Sequence, residues 1–363
     1  MNIRHLNLAI LDGCSPARQN RQKNEKRTAQ PSRLRSFRYH LKRLGASTFS
    51  SWYDAKHPKP SPWELSFVNS VKVDACPYCV SEDFVKDGFR RSNGTRIYRC
   101  RKCGRHFNPL TGTLFDNRKI PISEWFKFVI HLSEYHSVST SANDNRNARN
   151  TGYYWTKKIF SALEDSQSGV KLSGIVYIDE TYVTPYPSER KVPANGKGRF
   201  KAGLSKDLYC KATALEVKFV TDENGDEQRI SLKGAAFCCG NGKPSYERLK
   251  EIYPRIIAPG STVIHDDLPP YDRLVESMGC KGISYPSNST KGLPDDEDPM
   301  QPINDFHGSI QSFLRAHRSF ERRNLQDWLN LFCFFWNTPG TNERKAVVLT
   351  EKVVSKRQII RYQ

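Results

Sequence analysis

The sequence predicts a mixed α/β chain, and three observations carry that expectation. Near residue 174 the texture changes to apolar runs of strand length, which then alternate with helical stretches. Before that point two Cys-x-x-C pairs, "CPYC" (76–79) and "CRKC" (100–103), stand twenty residues apart. Between the two regions, "PISEWFKFVIHLSEY" (121–135) places Trp125, Phe128, Val129 and Leu132 at i, i+3, i+4, i+7, the template of an amphipathic helix. With 363 residues, 37% of them hydrophobic and 11% aromatic, the chain has material for two or three domains and at least one real core.

The net charge is +19 and the isoelectric point near 9.5. Such an excess favours polyanionic partners through counterion release and long-range steering. Nucleic acid is the leading candidate and an anionic membrane surface the second. No segment approaches the roughly 18–20 apolar residues that span a bilayer, and "LNLAIL" is too short for a signal peptide. Of ten cysteines, four form the two pairs. The other six (Cys14, Cys210, Cys238, Cys239, Cys280, Cys333) are scattered, several inside apolar runs such as "AAFCC" and "LFCFFW". This pattern reads as reduced thiols in a reducing compartment.

Residues 1–50 hold eleven Lys/Arg against Asp12 and Glu25. A disordered basic arm is expected over 1–30. From Pro31, Leu34, Phe37, Leu41 and Leu44 recur at helical intervals up to Gly45, which predicts a short basic helix able to lie on phosphates. The three prolines of "AKHPKPSP" (55–62) mark a linker.

The double Cys-x-x-C spacing suits tetrahedral Zn²⁺ in a ribbon, with Cys76, Cys79, Cys100 and Cys103 as ligands. Each pair offers two thiolates from one tight turn. "RSNGTRIYRC" fits the intervening hairpin, with Asn93-Gly94 at its turn. Four ligands close the coordination sphere, so the expected role is structural; a redox pair is the alternative. Around it Arg90, Arg91, Arg96, Tyr98, Arg99, Arg101, Lys102, Arg105 and His106 are placed to meet phosphates or simply to face solvent. After the 121–135 helix comes the Asn-rich "STSANDNRNARN", a poor helix by composition, and then "TGYYWTKKIFSAL", helical again with Lys157 and Lys158. A helix-turn-helix reading a groove and a plain helical linker both fit.

From 174 onward "GIVYIDET", "LYCKATALEVKFV", "RISLKGAAFCCG", "STVIHDD" and "GISYP" read as strands, with "KPSYERLKEIYPRI", 303–318 and 323–336 as helices. That order predicts a three-layer α/β domain. Two strands end in acids, "VYIDE" and "VIHDD". Carboxylates held at strand ends can bind paired Mg²⁺ or Mn²⁺ for phosphoryl transfer, although a lone strand-end acid is commonly a cap. In "INDFHGSIQSFL" (303–314), Ile303, Phe306, Ile310, Phe313 and Leu314 form one apolar face. His307 lies on its flank, Asn304 just beyond, and Asp305 points toward water.

Taken together, "CPYC…CRKC", "VYIDETYV", "VIHDDLPPY" and "INDFHGSIQSFLRAHRSF…NLQDWLNLF" resemble the bacterial DDE insertion-sequence transposases that join an N-terminal zinc ribbon to a ribonuclease-H-like catalytic domain. The likeness runs from about Cys76 to Trp336. It implies Asp179 as the first catalytic acid, followed by Glu180, and Asp266 as the second, five residues before Tyr271, with Asp267 at a variable position. The third position falls on an Asn-x-x-Glu helix and matches Asn304 and His307, His307 replacing the usual Glu. An imidazole there can bind a divalent metal or move protons, or it can be a core-edge His bonded to backbone. The acidic run Asp295, Asp296, Glu297, Asp298 is the alternative source of a third carboxylate.

The organisation expected on this basis is a basic arm and linker (1–62), a zinc ribbon (63–118) and a helix-turn-helix-like segment (119–170). A ribonuclease-H-like domain (171–340) and a basic tail (341–363) would follow. The implied activity is binding of an element's inverted-repeat ends in double-stranded DNA, then end hydrolysis and strand transfer at a two-metal site with Mg²⁺ or Mn²⁺. Arg96, Arg99, Arg101, Lys102, Arg105, Lys157 and Lys158 would contact DNA. The resemblance further implies a homo-oligomer acting in the bacterial cytoplasm on nucleoid DNA, with no membrane partner. The rivals are a non-catalytic zinc-ribbon DNA-binding protein and a structure-selective nuclease of the same fold.

Overall fold

The computed structural model describes residues 61–361 apart from 117, 119, 184–207, 222–226, 291, 296 and 318–321. The basic helix expected over 31–45 and most of the linker lie outside the described residues. The chain is mixed α/β. Helix α1 (Pro62–Ser70) leads into a three-stranded antiparallel sheet of β1 (Phe84–Phe89), β2 (Arg96–Cys100) and β3 (His106–Phe107). Its first hairpin turns through Asn93 and Gly94, and Gly94 takes the left-handed φ of +67° that a tight turn requires. Asn69 ties α1 to this hairpin, accepting from the Arg96 amide at 2.8 Å and donating to the Gly94 carbonyl at 3.1 Å.

Three helices follow: α2 (Ile122–Ser133), α3 (Val138–Asp144) and α4 (Arg149–Leu163). The Asn-rich middle, expected to be irregular, therefore contains a helix. Ser137 caps it by accepting from the Thr140 amide, and it buries Val138, Ser141 and Ala142. Gly152 of α4 allows close crossing: a Cβ there would meet Ala142 and the Val138 carbonyl at 3.0 Å. The asparagines have partners of their own. Asn145 donates to the Glu124 carbonyl at 3.1 Å and Asn147 to its carboxylate at 2.7 Å, both buried. Propensity counts them against a helix, but tertiary hydrogen bonds hold the turn.

The remaining strands form one five-stranded sheet: β4 (Ile175–Val183), β5 (Tyr209–Thr221), β6 (Glu227–Asn241), β7 (Thr262–Asp266) and β8 (Lys281–Tyr285), in the order β6-β5-β4-β7-β8. β5 runs antiparallel to both its neighbours, β4 and β6, whereas β7 runs parallel to β4 and to β8. Helices α5 (Tyr246–Ile256) and α6 (Pro269–Ser277) cover one face, packing Leu249, Tyr253, Tyr271 and Leu274 against Val176, Ile178 and Val263. On the other face lie α7 (Gln301–Ala316) and α8 (Leu325–Asn337), and α9 (Asn342–Ser355) joins the same core through α2 and α4. α2 and α4 share that second core, so the helical segment and the sheet are not separately packed bodies.

Residues 341–363, expected as a basic tail, instead supply α9. Ala346, Leu349 and Val353 are fully buried, and Trp125 Nε1 donates to Thr350 Oγ1 at 3.1 Å. The charges of "NERKAVVLTEKVVS" mask an apolar stripe at i, i+3, i+7.

The free edge of β6 is closed by side-chain amides that replace a neighbouring strand. Asn337 bonds both the amide and the carbonyl of Gly234 at 2.8 Å, and Gln167 does the same for Ala236 at 2.9 Å. Gln326 accepts from the Cys238 amide at 2.8 Å. Three alternate residues are thus satisfied and the edge is blocked to other strands. No helix of the described residues is long and apolar enough to cross a membrane.

Phe306 of α7 lies directly over Gly234, where a Cβ would sit 2.5 Å from the ring. Gly234→Ala should therefore push α7 outward and lower stability by about 1–3 kcal/mol, read by chemical denaturation. An unchanged midpoint would mean that the ring relaxes freely.

Candidate functional site

The site begins with the register of β4 and β7. Their parallel ladder pairs Ile175 with Thr262 and ends at Tyr177–Ile264. Carried forward by two residues, the same offset places Asp179 opposite Asp266, just past the parallel ladder. Asp266 ends β7, but β4, expected to end at its acids, runs on to Val183 beside β5. Asp179 points to the α7 face, as Tyr177 does, while Glu180 points to the α5–α6 face. One oxygen from each of Asp179, Glu180 and Asp266 lies within 4.8 Å of the other two.

Burial raises all three carboxyls above their ordinary range, and the charge of neighbouring acids adds to it. Asp179 is raised most, by burial first, then by Glu180 and Asp266. Donors restrain the others. Tyr271 donates to Glu180 Oε2 at 2.8 Å and Tyr182 to Oε1 at 3.2 Å, while Asp266 accepts from the Leu268 amide at 3.1 Å. Tyr253 Oη reaches the backbone carbonyls of Asp179 and Thr213 at 3.3 and 3.1 Å and stiffens the β4–β5 pair beneath the site.

His307 meets this cluster from α7. Its Nε2 is 2.7 Å from Thr213 Oγ1, and that hydroxyl donates its only proton to the Asp179 carbonyl, also at 2.7 Å. The hydroxyl must then accept from the ring, which assigns the proton to Nε2 and leaves a lone pair on Nδ1. Nδ1 lies 3.8 Å from Asp179 Oδ2. Burial, with a smaller contribution from Lys211, pushes the His307 pKa down to about 3, so the ring is neutral. Two electron-pair donors therefore face each other across a gap suited to a shared cation. Lys211, paired with Thr181 in the β4–β5 ladder, is fully buried without a hydrogen-bond partner, and burial lowers it to about 8.

Asn304 does not join the cluster. It is exposed and donates to Asp298 Oδ2 at 3.0 Å, fastening the start of α7 to the acidic run. One turn of helix separates it from His307, and that turn carries it past the sheet edge. Glu180 is the third carboxylate at the cluster. Its signal in the sequence was adjacency to Asp179, which along an extended strand sends the two side chains to opposite faces. Thr213, Lys211 and Tyr271 had no chemical signature of their own.

The four cysteines also converge. Cys76 Sγ lies 3.7 Å from Cys103 Sγ, and Cys79 Sγ 3.5 Å from Cys100 Sγ. Thiolates about 2.3 Å from one tetrahedral ion stand about 3.8 Å apart, so the set has the dimensions of a closed zinc site. Of the basic residues, Arg99, Arg101, Lys102, Arg105 and Lys157 are exposed. Arg96 lies over the Phe89 ring at 3.8 Å and Arg105 over Tyr78 at 5.0 Å. Lys158 is a correction. It is 3% exposed, its amine rests 4.4 Å from the Tyr154 ring centre, and burial pushes it down to about 8. It follows Lys157 by 100° around α4, which turns it onto the buried stripe of Trp155 and Ile159.

Because its folded carboxyl is raised, Asp179 destabilises the metal-free chain once ionised. Stability is lost as pH rises from about 4, where the unfolded carboxyl ionises, through the raised native value. Asp179→Asn should raise the thermal midpoint at neutral pH by roughly 2–4 °C per kcal/mol of relieved repulsion, and the gain should vanish below about pH 4. A variant less stable at neutral pH would contradict the assigned electrostatics.

No family profile matches the chain. Among solved structures, a chain of the simian T-cell lymphotropic virus intasome in complex with PP2A regulatory subunit B56 gamma overlaps with a TM-score of 0.24 and 8% identity, over 48% of this chain and 51% of that one. A chain of the pre-cleavage Mos1 transpososome overlaps with a TM-score of 0.20 and 9% identity, over 61% and 72%. Neither overlap is deep enough to bear on the fold. The sequence similarity reaches further: over 284 residues the chain is 30% identical to the uncharacterized protein in transposable element ISH50 of Halobacterium salinarum, covering 76% of this chain and 90% of that protein. On that identity, sustained across nearly the whole relative, the chain belongs to the family of the ISH50 protein.

Proposed function

We propose that the chain is a metal-dependent DDE-type transposase, which binds the inverted-repeat ends of an insertion sequence, cuts them and joins them to target DNA. The observation that carries this reading is the convergence of Asp179, Glu180 and Asp266 just past the end of the β4–β7 ladder, with the His307 lone pair turned to the first of them. The sheet order β6-β5-β4-β7-β8, with three antiparallel strands and two parallel to β4, supports a ribonuclease-H-like domain over 171–340. Membership in a family carried by a transposable element supports the biological setting.

The donor set fits the ions. Carboxylates are the hard oxygen ligands that Mg²⁺ and Mn²⁺ take, and such ions supply an activated nucleophile and charge stabilisation at a reacting phosphate. Asp179 and Asp266 would hold them, with Glu180 oriented by Tyr271. His307 would contribute Nδ1, which favours Mn²⁺ over Mg²⁺ because imidazole is the softer donor.

In the ribbon, Cys76, Cys79, Cys100 and Cys103 would hold structural Zn²⁺. Among the described residues its core is Cys76, Tyr98, Cys100 and Phe107, with Val73, Cys79 and Phe84 against them, too small to order the hairpin without an ion. The exposed Arg99, Arg101, Lys102 and Arg105, with Arg96 on Phe89, would meet phosphates of the element ends, and Lys157 would add a contact from α4. Acting on two ends at once calls for a homo-oligomer. The work would take place on nucleoid DNA in the cytoplasm.

The test is cleavage of a labelled duplex carrying the gene's own flanking sequence, in Mg²⁺ and in Mn²⁺, with binding followed in parallel. Asp266→Asn should lose cutting by about a thousandfold or more, the effect of several kcal/mol of lost transition-state stabilisation, and keep binding. Cys76→Ser with Cys79→Ser should do the reverse and weaken binding first. Tight binding without cutting in either metal by the unaltered chain would favour a repressor. Cutting retained by Asp266→Asn would overturn the assigned site.

A further inference from the structure

We propose a second transition-metal site, of the zinc class, formed by His131, Glu134 and His136 where α2 ends. One donor atom from each of the three lies within 4.8 Å of the other two. The site is remote in sequence from both the cysteines and the strand-end acids, and it stands whether or not the chain is a transposase.

The local backbone builds the cluster. His131 is in the last turn of α2 and Glu134 caps the helix. Tyr135 then takes φ +63°, a left-handed conformation unusual for a side chain of its size. That reversal brings His136 back over the helix end, where its amide donates to the His131 carbonyl at 2.9 Å and the two imidazole centroids stand 5.2 Å apart. The Tyr135 ring packs edge-on against Phe313 of α7 at 5.3 Å, which holds the strained residue in place.

A second, independent observation points to a ligand. The side chain of His131 is 25% exposed, but its Nδ1 atom is buried and has no hydrogen-bond partner among the described residues. Buried polar nitrogens are satisfied in the great majority of native structures, so an orphan one calls for a partner. Asp144 Oδ2, on the last residue of α3, stands 3.8 Å away, too far to hydrogen-bond directly. A metal at Nδ1 would satisfy the nitrogen and draw Asp144 in as a fourth or outer ligand. Two imidazoles and a carboxylate are the borderline donors that take Zn²⁺, Co²⁺ or Ni²⁺, whereas Mg²⁺ and Ca²⁺ prefer oxygen throughout. An ion there would clamp the end of α2 to the end of α3, and so brace the helix pair from which α4 departs.

Cobalt tests this on the full chain, because its sites differ in colour by donor. The unaltered chain, saturated with Co²⁺ and desalted, should hold one ion more than the chain carrying His131→Asn and His136→Asn. The difference spectrum should contain d–d bands without sulfur-to-cobalt charge transfer, since no thiolate is involved. Equal cobalt content, or a difference spectrum with thiolate bands, would overturn the proposal. Should the double variant fail to fold, Glu134→Gln decides, because Glu134 is exposed. It should keep the native circular dichroism and bind that cobalt at least about tenfold more weakly, and unchanged affinity would overturn the site equally.

Discussion

The structure turns on the parallel pairing of β4 with β7 and its end at Tyr177–Ile264. Beyond that pair the two strands part, and the space between them receives Asp179, Glu180 and Asp266. Three like charges gathered in a half-buried crevice repel one another and lose hydration, so this arrangement exists only because the sheet around it is held on both faces. The α5–α6 side contributes Leu249, Tyr253 and Tyr271, and the α7–α9 side a much larger core reaching from Val68 to Val354. Site and scaffold are opposed in sign: the carboxylates destabilise the metal-free fold, and the two cores offset them.

The same opposition explains the neighbours of the acids. Glu180, sent to the α5–α6 face by strand alternation, is met there by the hydroxyls of Tyr271 and Tyr182. Asp179, on the other face, meets Nδ1 of an imidazole whose proton is committed to Thr213. Each acid thus has a different local chemistry although they share one crevice. α7 is positioned by Phe306 against Gly234, and Gly234 in turn by Asn337 at the sheet edge. His307 therefore depends on a packing contact one helical step away and on an amide from the next helix.

Before the sheet, the chain solves two smaller problems of order by different means. The ribbon has few buried residues, and its cysteines stand at spacings an ion would close. The helical segment instead merges into the large core through Trp125 and Trp155. Polar ties fix its turns: the Arg118–Glu64 ion pair at 3.0 Å, and Asn145 and Asn147 on Glu124. Lysine placement follows from the same packing, with Lys157 outward and Lys158 over aromatic rings.

Much of this was legible in the sequence. The strands of the sheet, the hairpin at Asn93-Gly94 and the four cysteines follow from local periodicity and spacing, because alternation and turn chemistry are written residue by residue, although β4 runs past Asp179 to Val183. The helix at 138–144, the burial of Lys158 and the packing of 342–355 were not legible. Each depends on a partner well away in the chain: Glu124 for the asparagines, Phe115 for the lysine, Trp125 for Thr350. The sequence by itself singled out the candidate acids, Asp179 and Asp266 above all, by their place after apolar runs and by resemblance. Only the tertiary structure decided that Glu180 joins them, that Asn304 turns instead to Asp298, and that His307 presents an unprotonated nitrogen. Those outcomes depend on where the strands part and which hydroxyl faces the ring, and no local pattern encodes either.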